Sequence, residues 1–416
     1  MANETTLTTA GAIITKRYDK DVPKAVQEEF PAFNSISKFE QEFGESFYLA
    51  VMGENPQGVS STIENALTGM YNASYSRFEP SVVEVSGLVR IRNNVLRRAK
   101  TPGALVDVLK NDCDGMLRQL MQDQTCDMFG DGSGVLGRIS SGQGSTTITL
   151  TVASDAIKFS VGMLLKGVDA RTTSATVRSG SARVTAVDPI AGTVSTTGSN
   201  WNSQITSLAA NDYLVRAGRE VGAVTASTFA CPTGFKAWLE GGTAPASLWG
   251  LTRTTNPAKY AGTKLDCANK PLEEALIEAA TYARVYGSVP PDTLYVHPLD
   301  WADLAKTVSS KVQITKTSFT GSKGGIGFKA IAYDSPHGEI TVIDTPFIDR
   351  NEAVLCKRKL ATWHSAGPSP RLLKDGDGQD IVRVVGTSYL EVQFGSDCQF
   401  SYRQPYSGVR MTNFGA

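Results

Sequence analysis

A chain of 416 residues with 41% hydrophobic content is long enough for two or three packed units with real cores. Its 41 basic and 41 acidic side chains cancel, so no overall field draws it onto nucleic acid or an anionic membrane, and dedicated DNA readers run more basic. No apolar run approaches the ~18 residues of a membrane span. The polar, Thr-rich stretch from Met1 to Ala12 carries no signature of a secretory signal. The six cysteines (Cys113, Cys126, Cys231, Cys267, Cys356, Cys398) are scattered without a CxxC pair and read as free thiols of a reducing cytoplasm.

Residues 1–54 read as an arm. One short helix is predicted from Pro23 to Phe30, with proline at a first-turn position. Phe30, Phe33, Phe39, Phe43 and Phe47 need a surface to bury against, on the body of the same chain or on a neighbour.

Residues 55–100 alternate in Val83-Glu84-Val85 and Val89-Arg90-Ile91-Arg92, with Ser86-Gly87 as a turn or bulge, and hold few large apolar residues, which predicts a projecting hairpin. Arg77, Arg90, Arg92, Arg97, Arg98 and Lys100 gather there against Glu64, Glu79 and Glu84, interleaved with Tyr71, Tyr75 and Phe78. A nucleic-acid stripe is one reading of that cluster. A protein contact is the other, and the overall neutrality favours it, since arginine and tyrosine are enriched at protein interfaces.

Residues 101–139 hold the clearest helix. After Thr101-Pro102-Gly103, apolar residues recur at Leu105, Leu109, Cys113, Met116, Leu117, Leu120, Met121, Met128 and Phe129 with the period of one helical face. The predicted rod is roughly 38 Å long and stops at Gly130-Asp131-Gly132. The run Gly132-Ser133-Gly134-Val135-Leu136-Gly137 matches the dinucleotide-binding GxGxxG pattern, but that motif needs a strand before it and a helix after it. Here a helix precedes. The expectation is a tight corner in which Gly130, Gly132, Gly134 and Gly137 turn the chain off the rod.

Residues 140–229 are about 30% Ser plus Thr from Ser140 to Thr228, with short β-type runs at Thr147–Val152, Ala182–Val187 and Thr193–Thr197, and read as a β module or insertion. Residues 230–345 return to helix at Pro271–Tyr286, where Leu272, Leu276, Ala279, Ala283 and Tyr286 share a face and Gly287 is the stop. A strand Asp292–His297 and a second helix opened by Pro298 follow. Residues 346–416 read as closing strands around Val354–Cys356, Ile381–Val385, Tyr389–Phe394 and Gln399–Tyr402. Segregated helices and strands make this an α+β chain and not a doubly wound sheet.

Nothing in the sequence asks for catalysis. Asp375-Gly376-Asp377-Gly378-Gln379-Asp380 opens like a calcium loop but lacks the sixth-position glycine and twelfth-position glutamate, so it reads as a polar turn. His297, His337 and His364 stand in no ligand spacing, and His297 before Pro298 fits capping or packing. No nucleophile elbow or phosphate loop is present, and no cofactor or metal is expected.

In the order of these parts the sequence resembles the major capsid proteins of tailed bacteriophages with the Hong Kong 97 fold. Asp127-Met128-Phe129-Gly130 through Gly137 looks like the turn that ends their spine helix. Leu276 to Lys306, centred on Tyr286–Pro298, is similar to their axial-domain helix, strand and helix, and Trp249-Gly250-Leu251 adds to the likeness. The resemblance implies an N-terminal arm, then an extended E-loop at residues 55–100, then a peripheral (P) domain begun by the spine helix. An axial (A) domain and a late P-domain return follow, with the Ser/Thr-rich module as an elaboration or inserted domain.

It also implies a structural subunit that assembles as hexamers and pentamers into an icosahedral shell around double-stranded DNA without sequence-specific binding. The implied E-loop contacts are Tyr71, Tyr75, Arg77, Phe78, Glu79, Glu84, Arg90, Arg92, Arg97 and Arg98. Implied partners are a portal protein, a cementing or decoration protein and, because no long built-in scaffold precedes the arm, a separate scaffolding protein. Assembly would take place in the host bacterial cytoplasm. Some members weld subunits through an E-loop lysine, and residues 55–98 hold none. The rival readings are an encapsulin-like compartment, which shares the fold, and a β-rich tail or adhesion component.

Overall fold

The computed structural model describes residues 29–41, 44–92, 102–172, 175–220, 231–241, 247–287, 289–308, 316–318, 329–335, 338–373, 382–383 and 389–415. The predicted helix at Pro23–Phe30 falls almost wholly outside these residues, as do Arg97, Arg98, His337 and the Asp375–Asp380 run.

The spine helix Pro102–Phe129 has 28 residues, a rod of ~42 Å. Cys113, Leu117, Leu120, Met121 and Met128 are buried along it as the periodicity predicts. Against it lies a sheet organised by the strand Tyr389–Tyr402. The sequence reading splits this strand in two, but it runs unbroken through Gly395. Val83–Arg92 pairs antiparallel with it from Cys398↔Val83 to Tyr389↔Arg92. Val83–Arg92 is therefore a strand of the body and not half of a free hairpin. Its pattern is read differently because Val85 and Val89 face the core, where they pack on the helix. Ser86-Gly87 is no turn either: a Cβ on Gly87 would come within 2.8 Å of Met116 Sδ, so the glycine admits the helix against a continuous strand.

Of the arm's aromatics, Phe30, Phe33 and Phe47 are buried on its own body, Phe39 is exposed, and Phe43 lies outside the described residues. Phe33 meets Trp363 edge to face at 5.0 Å, Phe47 stacks on His364 at 4.2 Å, and Ser37–Phe39 adds a parallel strand beside Ala361–Ser365.

Residues 135–216 form a closed six-stranded barrel, in the order Tyr213–Arg216, Val135–Ser141, Thr147–Leu150, Thr193–Thr196, Ala182–Asp188, Leu164–Val168. The Ser/Thr-rich module thus starts a few residues earlier than composition indicates and closes on itself. Alternate inward residues, among them Ile139, Ile148, Leu165, Val184, Val194 and Leu214, fill it together with Trp201.

The third unit is a seven-stranded mixed sheet, ordered Thr263–Asp266, Val409–Thr412, Glu352–Cys356, Thr293–Val296, Gly338–Asp344, Lys329–Ser335, Lys316–Ser318. The helices Leu272–Gly287 and Pro298–Val308 belong to this unit, and Leu272, Ala275, Leu276, Ala279, Ala280 and Ala283 sit in its core with Leu304. The amide of Leu299 donates to His297 Nδ1 at 3.2 Å, the capping role expected of that histidine. The closing strands divide between two sheets: Glu352–Cys356 and Val409–Thr412 belong here, while Ala361–Ser365, Arg371–Leu373 and Tyr389–Tyr402 belong to the spine sheet. Alternation marks a strand's faces but not its partner, so a single closing block could not be divided in the sequence.

Candidate functional site

The projecting element is the hairpin Leu49–Glu54/Ser74–Phe78, paired antiparallel from Leu49↔Phe78 to Glu54↔Ser74 with a bulge between Met52 and Glu54. Its inner face buries Leu49, Val51 and Phe78. Phe78 meets Trp238 edge to face at 5.1 Å, Ser76 Oγ and the Tyr260 hydroxyl are 3.0 Å apart, and Asn256 Nδ2 donates to the Gly53 carbonyl at 3.0 Å. The base is rigidly held.

Beyond it the chain is closed by backbone hydrogen bonds between Gln57 and Tyr71 at 2.8 and 3.1 Å. The tip helix Ile63–Thr68 is capped by Thr62, whose Oγ1 accepts from the Asn65 amide at 3.3 Å. This helix buries no residue. Val59 is 99% exposed and Ile63 80%, with Leu67, Met70, Tyr71 and Tyr75 also open. A helix this short and a hairpin of two strands have little stability of their own.

The sequence-predicted interface residues divide. Tyr71 and Tyr75 lie exposed on the hairpin. Arg77 covers the Tyr48 ring at 4.5 Å and pairs with Glu79 at 2.6 Å, both in solvent. Phe78 is fully buried and anchors the base, so it is a core residue. Glu84 accepts from Ser86 Oγ at 2.8 Å on the body strand. Arg90 donates through Nε to Glu391 at 2.5 Å, and its guanidinium lies 5.5 Å from the Tyr389 ring, so its charge is already partnered inside the chain. The Arg92 backbone pairs with Tyr389, while its side chain, like Arg97 and Arg98, lies outside the described residues. The charged residues of the sequence reading thus fall on two different strands, one in the hairpin and one in the body sheet. The apolar tip residues Val59, Ile63, Leu67 and Met70 carried the stronger signal, spaced for one face of a short helix with no core to meet.

A second exposed stripe lies on the helix Leu272–Gly287, where Ile277, Tyr282, Val285 and Tyr286 face solvent and the Tyr282 and Tyr286 rings stack at 5.9 Å. Tyr286, read from the sequence as part of the core face, belongs to this outer one. The helix carries two apolar faces, and the alanines pack while the tyrosines do not.

The glycine corner is a backbone device. Gly132 and Gly134 have φ of 86° and 70°, and a Cβ on Gly134 would lie 2.7 Å from the Arg219 carbonyl oxygen. Gly130 receives a hydrogen bond from the Gly234 amide at 3.1 Å, and Gly137 is a barrel residue against the Phe159 ring. Around this corner runs an ionic network. Arg219 reaches Asp127 at 2.5 Å, Arg216 reaches Asp123 at 3.1 Å, Arg171 reaches Asp131 at 3.1 Å, and Lys158 reaches Asp349 at 2.6 Å. Burial pushes Asp127 up to about 6 over the opposing Arg219 guanidinium. Burial would also raise Asp349, but Lys158, Lys236 and Arg171 together hold it well below the usual carboxylate range.

The six cysteines are unpaired, and burial pushes the Cys113 and Cys398 thiols up to about 12, far from reactivity. Among the described residues no group of three or more His, Cys, Asp or Glu side chains is placed to hold a metal ion, and no helix is long and apolar enough to cross a membrane.

No family model and no curated protein matches the sequence. Solved structures do. A chain of the cyanophage A-1(L) capsid asymmetric unit is similar over 100% of this chain and 95% of its own, with a TM-score of 0.53 at 10% identity. The capsid of a native GTA particle aligns over 94% of this chain and 90% of its own, with a TM-score of 0.43 at 8% identity. The SrpI encapsulin of Synechococcus elongatus PCC 7942 aligns over 95% and 91%, with a TM-score of 0.45 at 8% identity. The chain therefore has an α+β viral-capsid fold. More particularly, that fold is Hong Kong 97-like.

Proposed function

We propose that this chain is the major capsid protein of a tailed bacteriophage, a non-enzymatic subunit that assembles as hexamers and pentamers into an icosahedral head around double-stranded DNA. The observation that carries this reading is a capsid fold bearing a rigidly based hairpin whose helical, apolar tip is left uncovered by its own body. In this reading Leu49–Phe78 is the E-loop, the spine helix and its sheet are the P domain, and the seven-stranded sheet is the A domain. The hairpin tip of one subunit lies on its neighbour, a heterologous contact that closes into rings. Neutral charge suits a container, because a strongly basic lining would bind phosphate and hinder packaging and ejection. A separate scaffolding protein, a portal and a cementing protein are the partners this role calls for, with assembly in the bacterial cytoplasm.

The test is electron microscopy of the chain produced with its genomic neighbours. Closed shells containing double-stranded DNA are expected. Monomers or dimers at every concentration would overturn the shell reading, and shells holding a protein cargo without DNA would replace it with an encapsulin-type compartment.

A further inference from the structure

The barrel and the body meet through charge rather than through a shared apolar core. The barrel's cluster, from Leu136 to Leu214, has no residue in common with the spine-helix cluster or the seven-stranded-sheet cluster. Its seat is ionic and of one polarity. Arg171 of the barrel, and Arg216 and Arg219 at its exit, face Asp123, Asp127 and Asp131 at the end of the spine helix, and Arg171 also approaches Asp349 at 3.9 Å. Lys158 lies between its own Asp155 at 2.7 Å and Asp349 of the body at 2.6 Å. On the body side Asp349 is shared with Lys236 at 2.8 Å, and Lys236 continues the network to Glu352 at 3.1 Å.

The spine helix has no basic residue in its last turn. Its C-terminal carbonyls and its aspartates are therefore a concentrated negative end that the helix does not compensate. The barrel supplies the missing cations.

Both connections carry glycines in the left-handed region. The chain enters and leaves by adjacent strands, Val135 pairing with Val215, so both links stand side by side at one end of the barrel. Gly132 and Gly134 on the entry and Gly218 on the exit all have positive φ, and a Cβ on Gly218 would meet nothing within 4 Å.

We infer that residues 135–216 are a self-contained inserted domain, latched to the body by this one-signed set of ion pairs and hinged at the two glycine-bearing links, so that it swings as a unit when the latch is weakened. The charges make the latch reversible. Removing one partner leaves a buried charge uncompensated, whereas an apolar seat would lose only area. The inference rests on the barrel and its seat alone and stands whether or not the chain builds a shell.

The test is hydrogen exchange read by mass spectrometry on the unassembled full chain at neutral pH, comparing Arg171→Ala, Arg171→Glu and Arg171→Lys with the wild type. In the alanine variant, peptides covering 130–135 and 216–220 should exchange about tenfold faster. The glutamate variant should exceed this and the lysine variant should restore most of the protection. Peptides of the barrel strands at Ile148, Val184, Val194 and Leu214 and of the body at Phe400 should stay as protected as in the wild type. Barrel strands that lose protection together with the links would show that the barrel depends on its seat and overturn the inference. Links unchanged in the alanine variant would overturn it equally, because the pairs would then hold nothing. Should the glutamate variant fail to fold, the alanine and lysine variants decide.

Discussion

The ring of Phe78 meets the Trp238 indole edge to face at 5.1 Å, with both side chains fully buried, and this contact ties the hairpin base to the main core. Phe78→Ala should lower unfolding stability by about 3–5 kcal/mol through the cavity it leaves. Tyr75→Ala, three residues away and 73% exposed, should change stability by no more than ~0.5 kcal/mol while reducing shell yield. Denaturant titration beside sedimentation separates the two. A Tyr75 variant that assembles normally would remove that residue from the interface.

Because Gln57 and Tyr71 close the hairpin below its tip, residues 58–70 are removable. Replacing them with Asn-Gly should leave circular dichroism and melting nearly unchanged and abolish assembly. Deleting Tyr71–Arg92 should instead unfold the chain, since it takes away a ten-residue strand of the spine sheet.

Arg90 and Glu391 form a pair inside the chain, with the carboxylate largely shielded from water. Arg90→Glu therefore sets two carboxylates against each other and should destabilise the fold by about 1–3 kcal/mol. The double exchange Arg90→Glu with Glu391→Arg should recover much of that loss. If the single variant melts like the wild type yet fails to assemble, Arg90 serves a neighbour after all.

Asp127 titrates near 6 because burial disfavours its charge more than Arg219 and Arg216 favour it, with Asp123 adding repulsion. The folded chain thus holds this proton more tightly than the unfolded chain does. Through this group stability falls as pH rises from about 4 to about 6. Asp131 and Asp349 act in the opposite sense. Against burial, Arg171 and Ser133 hold Asp131 below its ordinary value and Lys158 and its neighbours do the same for Asp349, so their contribution is lost as pH falls. The difference in melting stability between wild type and Asp127→Asn should decline by about 1–3 kcal/mol across that pH window. A flat difference would place Asp127 in the ordinary carboxylate range.

The hairpin Leu49–Phe78 contains no lysine, and arginine stays protonated and does not attack an amide. Mature particles boiled in detergent and reductant should run as one band at the mass of a single chain. A surviving ladder of multimers would point to a covalent link from a lysine elsewhere, such as Lys100.

Local pattern alone determined the spine helix, its glycine stop, the two helices and strand between Leu272 and Val308, and the α+β class. Each of these rests on interactions within a few residues, where periodicity, capping and φ preference act directly. The Ser/Thr-rich segment was legible as β, because composition reports strand propensity, but its closure into a barrel depends on pairing between Tyr213–Arg216 and Val135–Ser141, far apart in the chain. The same limit explains the site. Val83–Arg92 and Ser74–Phe78 alternate alike, and only the partner strand decides which is embedded in the body and which projects. Arg90 looks like an interface charge until Glu391, 301 residues away, is brought beside it. Tertiary structure decided these points because the faces of a strand are set by its own alternation, while burial and charge compensation are set by what packs against it.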